Sequence, residues 1–398
     1  MRPRILIVTT YYHPVLGGVE THARQIAGHL HARGFGVEVL TKRIGAADPV
    51  ESEVDGVPVH RVGPTGERSA SGKWLAIPAF FRSMLALRSR FDAIVCLDYR
   101  GIGIAAIAAG RRLGRPVIVQ GETAGVMAGP PVQSASGIAR ESLAARLLKM
   151  PVRAIYRRAD HLVCIGRDLE REALAAGMPR DRVHYLPPGV DLTRFRPPAV
   201  GERAQLRATF GWPRDKTIVL FVGRLSVEKG AMDLLVAWRD VHTPNALLVL
   251  VGPDMPGHPW DIGASGRAYV TQHALGDRVR FAGPTSDTAP FYRAADLFVQ
   301  PSHFEAFGSS AIEAMASGLP VVSSGVGGLG DFLVAGGNAL IHDPRSPASL
   351  ARALTQMLND VRLRQRLATG ALATAPRFEL TSLLDRFAQL VESTVGRS

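Results

Sequence analysis

The chain is 398 residues long, more than a single hydrophobic core ordinarily organises, so two domains are expected. A hydrophobic share of 46% against 21% charged residues excludes an intrinsically disordered chain, and a cysteine count of 2, Cys96 and Cys164, excludes a disulfide scaffold or a cysteine-built metal centre. The net charge of +12 favours polyanionic partners (nucleic acid, anionic lipid or phosphorylated small molecules) without choosing among them.

The first apolar run, Ile5–Thr10, is shorter than a signal-peptide core and is stopped by Tyr11-Tyr12-His13-Pro14, so it reads as a β-strand. Gly17-Gly18 follows and opens a helical pattern from Val19. A glycine pair at such a turn lets a ligand approach the backbone, and a helix N-terminus favours anions, although a plain tight turn fits the same residues. It is not G-x-G-x-x-G, so a dinucleotide-binding turn is not indicated. Strand-length runs continue at Val37–Thr41, Val57–Val62, Ala93–Leu97, Val117–Gln120, His161–Ile165 and Val183–Leu186. Cys96 and Cys164 lie inside two of them and read as small buried hydrophobes. No apolar run reaches membrane-spanning length. A cytoplasmic location is therefore expected, with any membrane contact peripheral, at the inner face of the cell membrane.

Two basic amphipathic segments lie in this half, Lys73–Arg90 and Ile138–Arg158. They read either as ordinary helices with an apolar core side or as surfaces that dock on anionic lipid. The Gly-, Pro- and Ser-bearing stretch Ala124–Ser136 between them reads as an acceptor loop.

Pro187-Pro188-Gly189-Val190-Asp191 and Arg196-Pro197-Pro198 interrupt any helix or central strand, and the domain boundary is expected between residues 195 and 196. Beyond it, strand candidates recur at Ile218–Gly223, Leu247–Gly252, Val279–Gly283, Leu297–Gln300 and Pro320–Ser323. Continuous apolar strands alternating with helical patterns predict an α/β architecture with parallel sheets and right-handed crossovers. Ligands are expected at the carboxyl ends of such strands.

In F-V-G-R-L-S-V-E-K-G, residues 221–230, Arg224 and Lys229 flank a loop after a strand, as a diphosphate site requires. In F-E-A-F-G-S-S-A-I-E-A-M-A-S-G-L-P-V-V, residues 304–322, Gly308-Ser309-Ser310 begins a helix whose free N–H groups suit phosphate oxygens. Glu305 can accept from a sugar hydroxyl and Glu313 from a ribose diol. Ser310-Ala311-Ile312-Glu313 also fits a capping box, in which Glu313 would only bond a backbone N–H. Gly325-Val326-Gly327-Gly328 reads as a flexible turn before another helix.

This ordered set, with Tyr11-Tyr12-His13-Pro14, Gly17-Gly18-Val19-Glu20 and Pro188-Gly189-Val190-Asp191…Phe195, resembles the retaining, nucleotide-sugar-dependent glycosyltransferases of family 4, and the matches span nearly the whole chain. The resemblance implies a GT-B fold: two Rossmann-like domains facing across a cleft, residues 1–195 on the acceptor side and 196–379 binding the donor nucleotide. A C-terminal helix, 380–398, would cross back to the first. It implies that Arg224 and Lys229 hold the donor diphosphate, that Glu305 contacts the donor sugar and Glu313 the ribose, and that the backbone from Phe307 through Gly308, Ser309 and Ser310 orients sugar and phosphates. Gly17 and Gly18 would close over the donor.

The expected reaction moves a hexose from a UDP- or GDP-sugar to a glycan or lipid-linked acceptor, without cofactor or metal. The chain has no D-x-D, and Arg224 with Lys229 supplies the missing positive charge. Many members place a histidine where this chain reads Val119-Gln120-Gly121-Glu122. Gln120 cannot act as a base; it and Glu122 are candidates for a contact to acceptor or sugar. A front-face route, with the leaving phosphate taking the acceptor proton, needs no protein base. His13 and His22, near the glycine pair, read as surface or packing residues.

Two other functions compete: a nucleotide-sugar epimerase of the same architecture, and a non-catalytic nucleotide-sugar-binding subunit, the latter suggested by Gln120. A nucleic-acid binder would account for the charge, but no reading motif supports it.

Overall fold

The computed structural model describes residues 2–15, 17–63, 65, 70–98, 101–122, 153–243 and 245–396. The chain divides into two compact units, Met1–Pro188 with Ser382–Ser398, and Gly189–Thr381.

The first unit is built on β1 (Arg4–Thr9), β2 (Gly36–Lys42), β3 (Glu51–Val54), β4 (Val57–Val62), β5 (Ala93–Cys96), β6 (Val117–Gly121), β7 (His161–Cys164) and β8 (Val183–Tyr185). Their order across the sheet is β3-β4-β2-β1-β5-β6-β7-β8. All neighbours run parallel except β3 and β4. β1 and β5 are buried on both faces, which is why they read as unbroken apolar runs. β3 is absent from the expected strands. Its residues Glu51-Ser52-Glu53-Val54 alternate with no apolar run, and it joins β4 through Asp55 at φ 52° and Gly56 at φ 78°, a two-residue turn of the primed kind that Asp-Gly favours.

Helix Gly18–Ala32 leads out of β1. Near its far end His29 Nε2 lies 2.9 Å from Asp385, which also accepts from Arg33. Asp385 belongs to the last helix, Leu380–Val395, so the C-terminus returns to the first unit. Cys96 and Cys164 are buried free thiols, and burial raises the Cys164 pKa to about 12.

The second unit holds β9 (Thr217–Val222), β10 (Ala246–Val251), β11 (Val279–Gly283), β12 (Leu297–Gln300), β13 (Val321–Ser323) and β14 (Ala339–Ile341), in the order β11-β10-β9-β12-β13-β14 and all parallel. The strand order reverses between β9 and β12. Open parallel sheets bind ligands outside the carboxyl ends of the strands at such a point. β14 was also not anticipated, because three residues among loop signals carry no periodicity.

The chain enters the second unit earlier than the 195/196 boundary and leaves it slightly later than residue 379. Val190 N donates to Phe378 O at 2.8 Å and Leu380 N to Val190 O at 3.0 Å. Asp191 Oδ1 accepts from Thr193 and Arg194, and Phe195 packs edge-on against Tyr292. The stretch from Gly189 to Phe195 is thereby fixed to the second unit.

The apolar side of helix Ala70–Ala86 supplies Ala76, Phe80 and Met84 to the first core, the ordinary-helix reading of that basic segment. The expected loop 124–136 and most of the segment 138–158 lie outside the described residues. Among the described residues no helix is long and apolar enough to cross a membrane.

Candidate active site

The loop after β9 and the loop after β12 meet at the strand-order reversal. Gly230, at φ +69°, abuts the second loop so closely that a Cβ would lie 2.0 Å from Pro301 O. No side chain fits there, and the loop bearing Arg224 and Lys229 is pressed against the one bearing Glu305.

Lys229 Nζ lies 2.9 and 2.8 Å from the two oxygens of Glu305. Glu305 Oε2 also accepts from Gln300 Nε2 at 2.8 Å and Ser302 Oγ at 3.1 Å. Glu305 is 8% exposed. Its carboxylate is therefore a fixed anchor for the Lys229 ammonium, whose side chain keeps partial exposure. Arg224 is held loosely, 3.5 Å from Glu228, with an exposed side chain, so its guanidinium can turn towards an incoming anion. Each of the two cations is balanced by a glutamate.

Two glycines set the position of Glu305. A Cβ on Gly327, at φ +58°, would lie 2.2 Å from Glu305 O, and one on Gly328 would lie 2.3 Å from Ala306 O and 2.5 Å from Phe307 Cα. Gly328 N donates to Glu305 O at 3.0 Å. The expected flexible turn before a helix is instead a short 3-10 turn, Gly327–Asp331, packed against the Glu305 loop. Phe307 is buried against Phe332 and Phe378.

Helix Ser309–Ala316 starts after Gly308 at φ 104°, and no side chain caps it. Its first N–H groups, at Ser309 and Ser310, therefore present the positive end of the helix. The capping-box alternative does not hold: Ser310 lies within the helix, and Glu313 Oε2 accepts from Tyr292 OH at 2.8 Å. Burial pushes the Glu313 carboxyl up to about 7, opposed by the Tyr292 hydrogen bond and the positive charge of Arg194.

The second unit thus brings together Arg224, Lys229, Glu305, Phe307, Gly308, Ser309, Ser310 and Glu313. The sequence reading missed Tyr292, Gln300 and Ser302. Gln300 had a legible signal, a polar residue closing the apolar strand Leu297-Phe298-Val299 at its carboxyl end; Tyr292, 21 residues from its partner Glu313, had none. His303 Nε2, 2.8 Å from Asp233, braces the same loop.

The remaining candidates lie in the first unit. Gly17 and Gly18 begin helix Gly18–Ala32. A Cβ at Gly18 would meet open space, and one at Gly17 only the movable end of Glu20, so packing within the unit does not demand either glycine. Gln120 is buried at the end of β6 with its Oε1 unpartnered, and Glu122 follows the strand. Among the described residues no group of three or more His, Cys, Asp or Glu is placed to hold a metal.

Paired parallel-sheet units, with cations and an uncapped helix at the strand-order reversal of the second, define the GT-B class of sugar-transfer proteins. Comparison with known proteins agrees. Residues 202–373 match the family model of group 1 glycosyl transferases and residues 17–189 that of a glycosyl transferase 4-like domain. The chain is 31% identical to a D-inositol 3-phosphate glycosyltransferase of Xylanimonas cellulosilytica, over 99% of both chains. It superposes on sucrose-phosphate synthase of Thermosynechococcus elongatus with a TM-score of 0.80 and 25% identity, over 99% of this chain and 100% of that one. Anabaena HepE, solved with UDP and glucose, gives 0.79 and 22% over 98% and 100%. The chain belongs to the family-4 type of GT-B glycosyltransferases and is a glycosyltransferase.

Proposed function

We propose that the chain transfers a hexosyl group from a UDP- or GDP-sugar to a glycan or lipid-linked acceptor, with retention of configuration and without a metal or cofactor. The observation that carries this reading is the Arg224 and Lys229 pair at the strand-order reversal, with Lys229 fixed by Glu305. Arg224, Lys229 and the N–H groups of Ser309 and Ser310 would surround the donor diphosphate, and Glu313 would accept from the ribose. The structural neighbour HepE, solved with UDP and glucose, supports a nucleotide-sugar donor. The name of the Xylanimonas relative favours a second acceptor reading, a cyclitol phosphate.

As the bond from the anomeric carbon to the phosphate oxygen breaks, its electron pair stays on the phosphate. Arg224 and Lys229 stabilise that charge where it develops. The acceptor oxygen bonds the same face of the carbon, and its proton passes to the departing phosphate. Gly17 and Gly18, which their own unit's packing does not require, leave room for donor atoms beside a helix N-terminus.

A thermal-shift screen of UDP- and GDP-sugars in the presence of EDTA tests the donor site, and NMR of the product's anomeric centre tests retention. Lys229→Ala is expected to lower turnover by about 10²–10³-fold, as does removal of one oxyanion-stabilising group. Stabilisation by no nucleotide sugar, or a product of inverted configuration, would refute the reading.

A further inference from the structure

The turn by which the chain enters the second unit carries a cation that the proposed mechanism does not use. Arg194 Nη2 lies 2.9 Å from Asp287 Oδ1, and both side chains are exposed. Asp287 Oδ1 also accepts from Ala289 N at 3.2 Å, the first residue of helix Ala289–Ala294. Arg293 of that helix donates in return to Arg194 O at 2.7 Å. Phe195 packs edge-on against Tyr292 of the same helix, with ring centres 5.6 Å apart. The turn and the helix are thus joined by two side chains of the turn and two of the helix. From this helix Tyr292 OH donates to Glu313, and burial, followed by the neighbouring Glu313 charge, keeps that phenol protonated. Among the described residues, Tyr292 and Arg194 are the two groups that oppose the burial of the Glu313 carboxyl. The cations of the other elements packed against helix Ser309–Ala316 are Arg362, Arg364 and Arg366 of helix Val361–Thr374 and Arg377 of turn Ala375–Phe378, and the shift of Glu313 owes nothing to them.

We propose that Arg194 is a positioning residue for the donor ribose: strapped to Asp287, its guanidinium favours the carboxylate form of Glu313, and the turn that carries it seats Tyr292 against the same group. Arg194 acts through Glu313 and does not touch the ligand. Asp287 sets the strength of the effect, because a carboxylate bonded to Arg194 cancels part of the positive field that reaches Glu313. The two charges therefore work in opposite directions. Without the Arg194 charge the Glu313 carboxyl should titrate at a higher pH, and without the Asp287 charge at a lower one. A merely structural ion pair would give no such opposition, since breaking it from either side would disturb the helix alike. The inference rests on the proposed donor site and deepens the role of Glu313 there.

Carboxyl carbon NMR of the full chain without donor, with Glu313→Gln to assign the resonance, tests the link directly. Arg194→Met should move the Glu313 midpoint up by about half a pH unit, and Arg194→Lys should restore most of the difference. Asp287→Asn, whose amide oxygen still accepts from Arg194, should move the midpoint down. Both shifts should shrink in about 1 M salt. Calorimetry with UDP-glucose and GDP-mannose at pH 6 and pH 8 reads the consequence. Arg194→Met should weaken binding of the nucleotide sugar that the wild type accepts about threefold at pH 6, the change in ionised fraction for about half a unit, and far less at pH 8. An unmoved midpoint in Arg194→Met, or shifts of one sign in both variants, would overturn the proposal. An equal loss of affinity at both pH values would also overturn it, placing Arg194 on the ligand itself. If Arg194→Met does not fold, Asp287→Asn decides: a midpoint that stays or rises overturns the proposal, and one that falls supports it. A wild-type chain that binds neither nucleotide sugar would refute the donor reading itself, whatever the midpoints.

Discussion

Glu313 makes donor binding sensitive to pH in a calculable direction. Its carboxyl is pushed up to about 7 by burial, and it accepts a hydrogen bond from Tyr292 OH at 2.8 Å. A ribose diol would add O–H donors, which favour the ionised form and draw the pKa back towards the ordinary 4.5. Below pH 7 a proton must then leave for the donor to bind. The ionised fraction of free Glu313 rises from about one in eleven at pH 6 to about ten in eleven at pH 8. Affinity should therefore rise about tenfold over that interval, ~1.4 kcal/mol. The ligand must be a nucleotide sugar, because the diphosphate of a free nucleotide titrates in the same range. Calorimetry at pH 6 and pH 8, in two buffers of different ionisation enthalpy, measures affinity and protons released together. Glu313→Gln should abolish the slope. A constant affinity from pH 6 to pH 8, or an equal slope in the variant, would refute the ribose role. The same raised pKa makes the ligand-free fold lose stability as pH rises through about 7, opposite in sign to the usual salt-bridged carboxylate.

Glu305→Ala leaves Gln300, Ser302 and Lys229 without their shared acceptor and should cost about 2–4 kcal/mol of stability, read by urea unfolding. Glu305→Gln keeps the shape and two hydrogen-bonding atoms but loses the charge that fixes Lys229; it should fold, with turnover down at least about tenfold, and full activity would show that the anchor is dispensable. Gly328→Ala would set a Cβ 2.3 Å from Ala306 O, so the Glu305 loop must shift. Turnover should fall while UDP still binds, whereas a wild-type rate would show that the loop yields easily.

Much of the fold was legible because buried parallel strands such as Ile5-Leu6-Ile7-Val8 leave continuous apolar runs. The hairpin strand Glu51–Val54 and the three-residue Ala339–Ile341 escaped because pairing, not periodicity, makes them strands. At the candidate site, Arg224, Lys229, Glu305 and Glu313 could be singled out by residue type and by the family resemblance, but their partners could not. The approach of Glu305 to Lys229, 76 residues away, depends on Gly230 and Pro301 touching, and the Glu313–Tyr292 bond depends on how two helices pack. Gly327 and Gly328 were visible as glycines. Their role as room for a neighbouring carbonyl is a three-dimensional property that a turn signal resembles.

Gly189 admits no side chain, since a Cβ would lie 2.5 Å from Leu380 Cα, and Val190 is hydrogen-bonded to Phe378 and Leu380. The stretches of chain entering and leaving the second unit are therefore zipped side by side. In genetic terms that unit is an insert with adjoining ends, one continuous stretch of coding sequence set inside another.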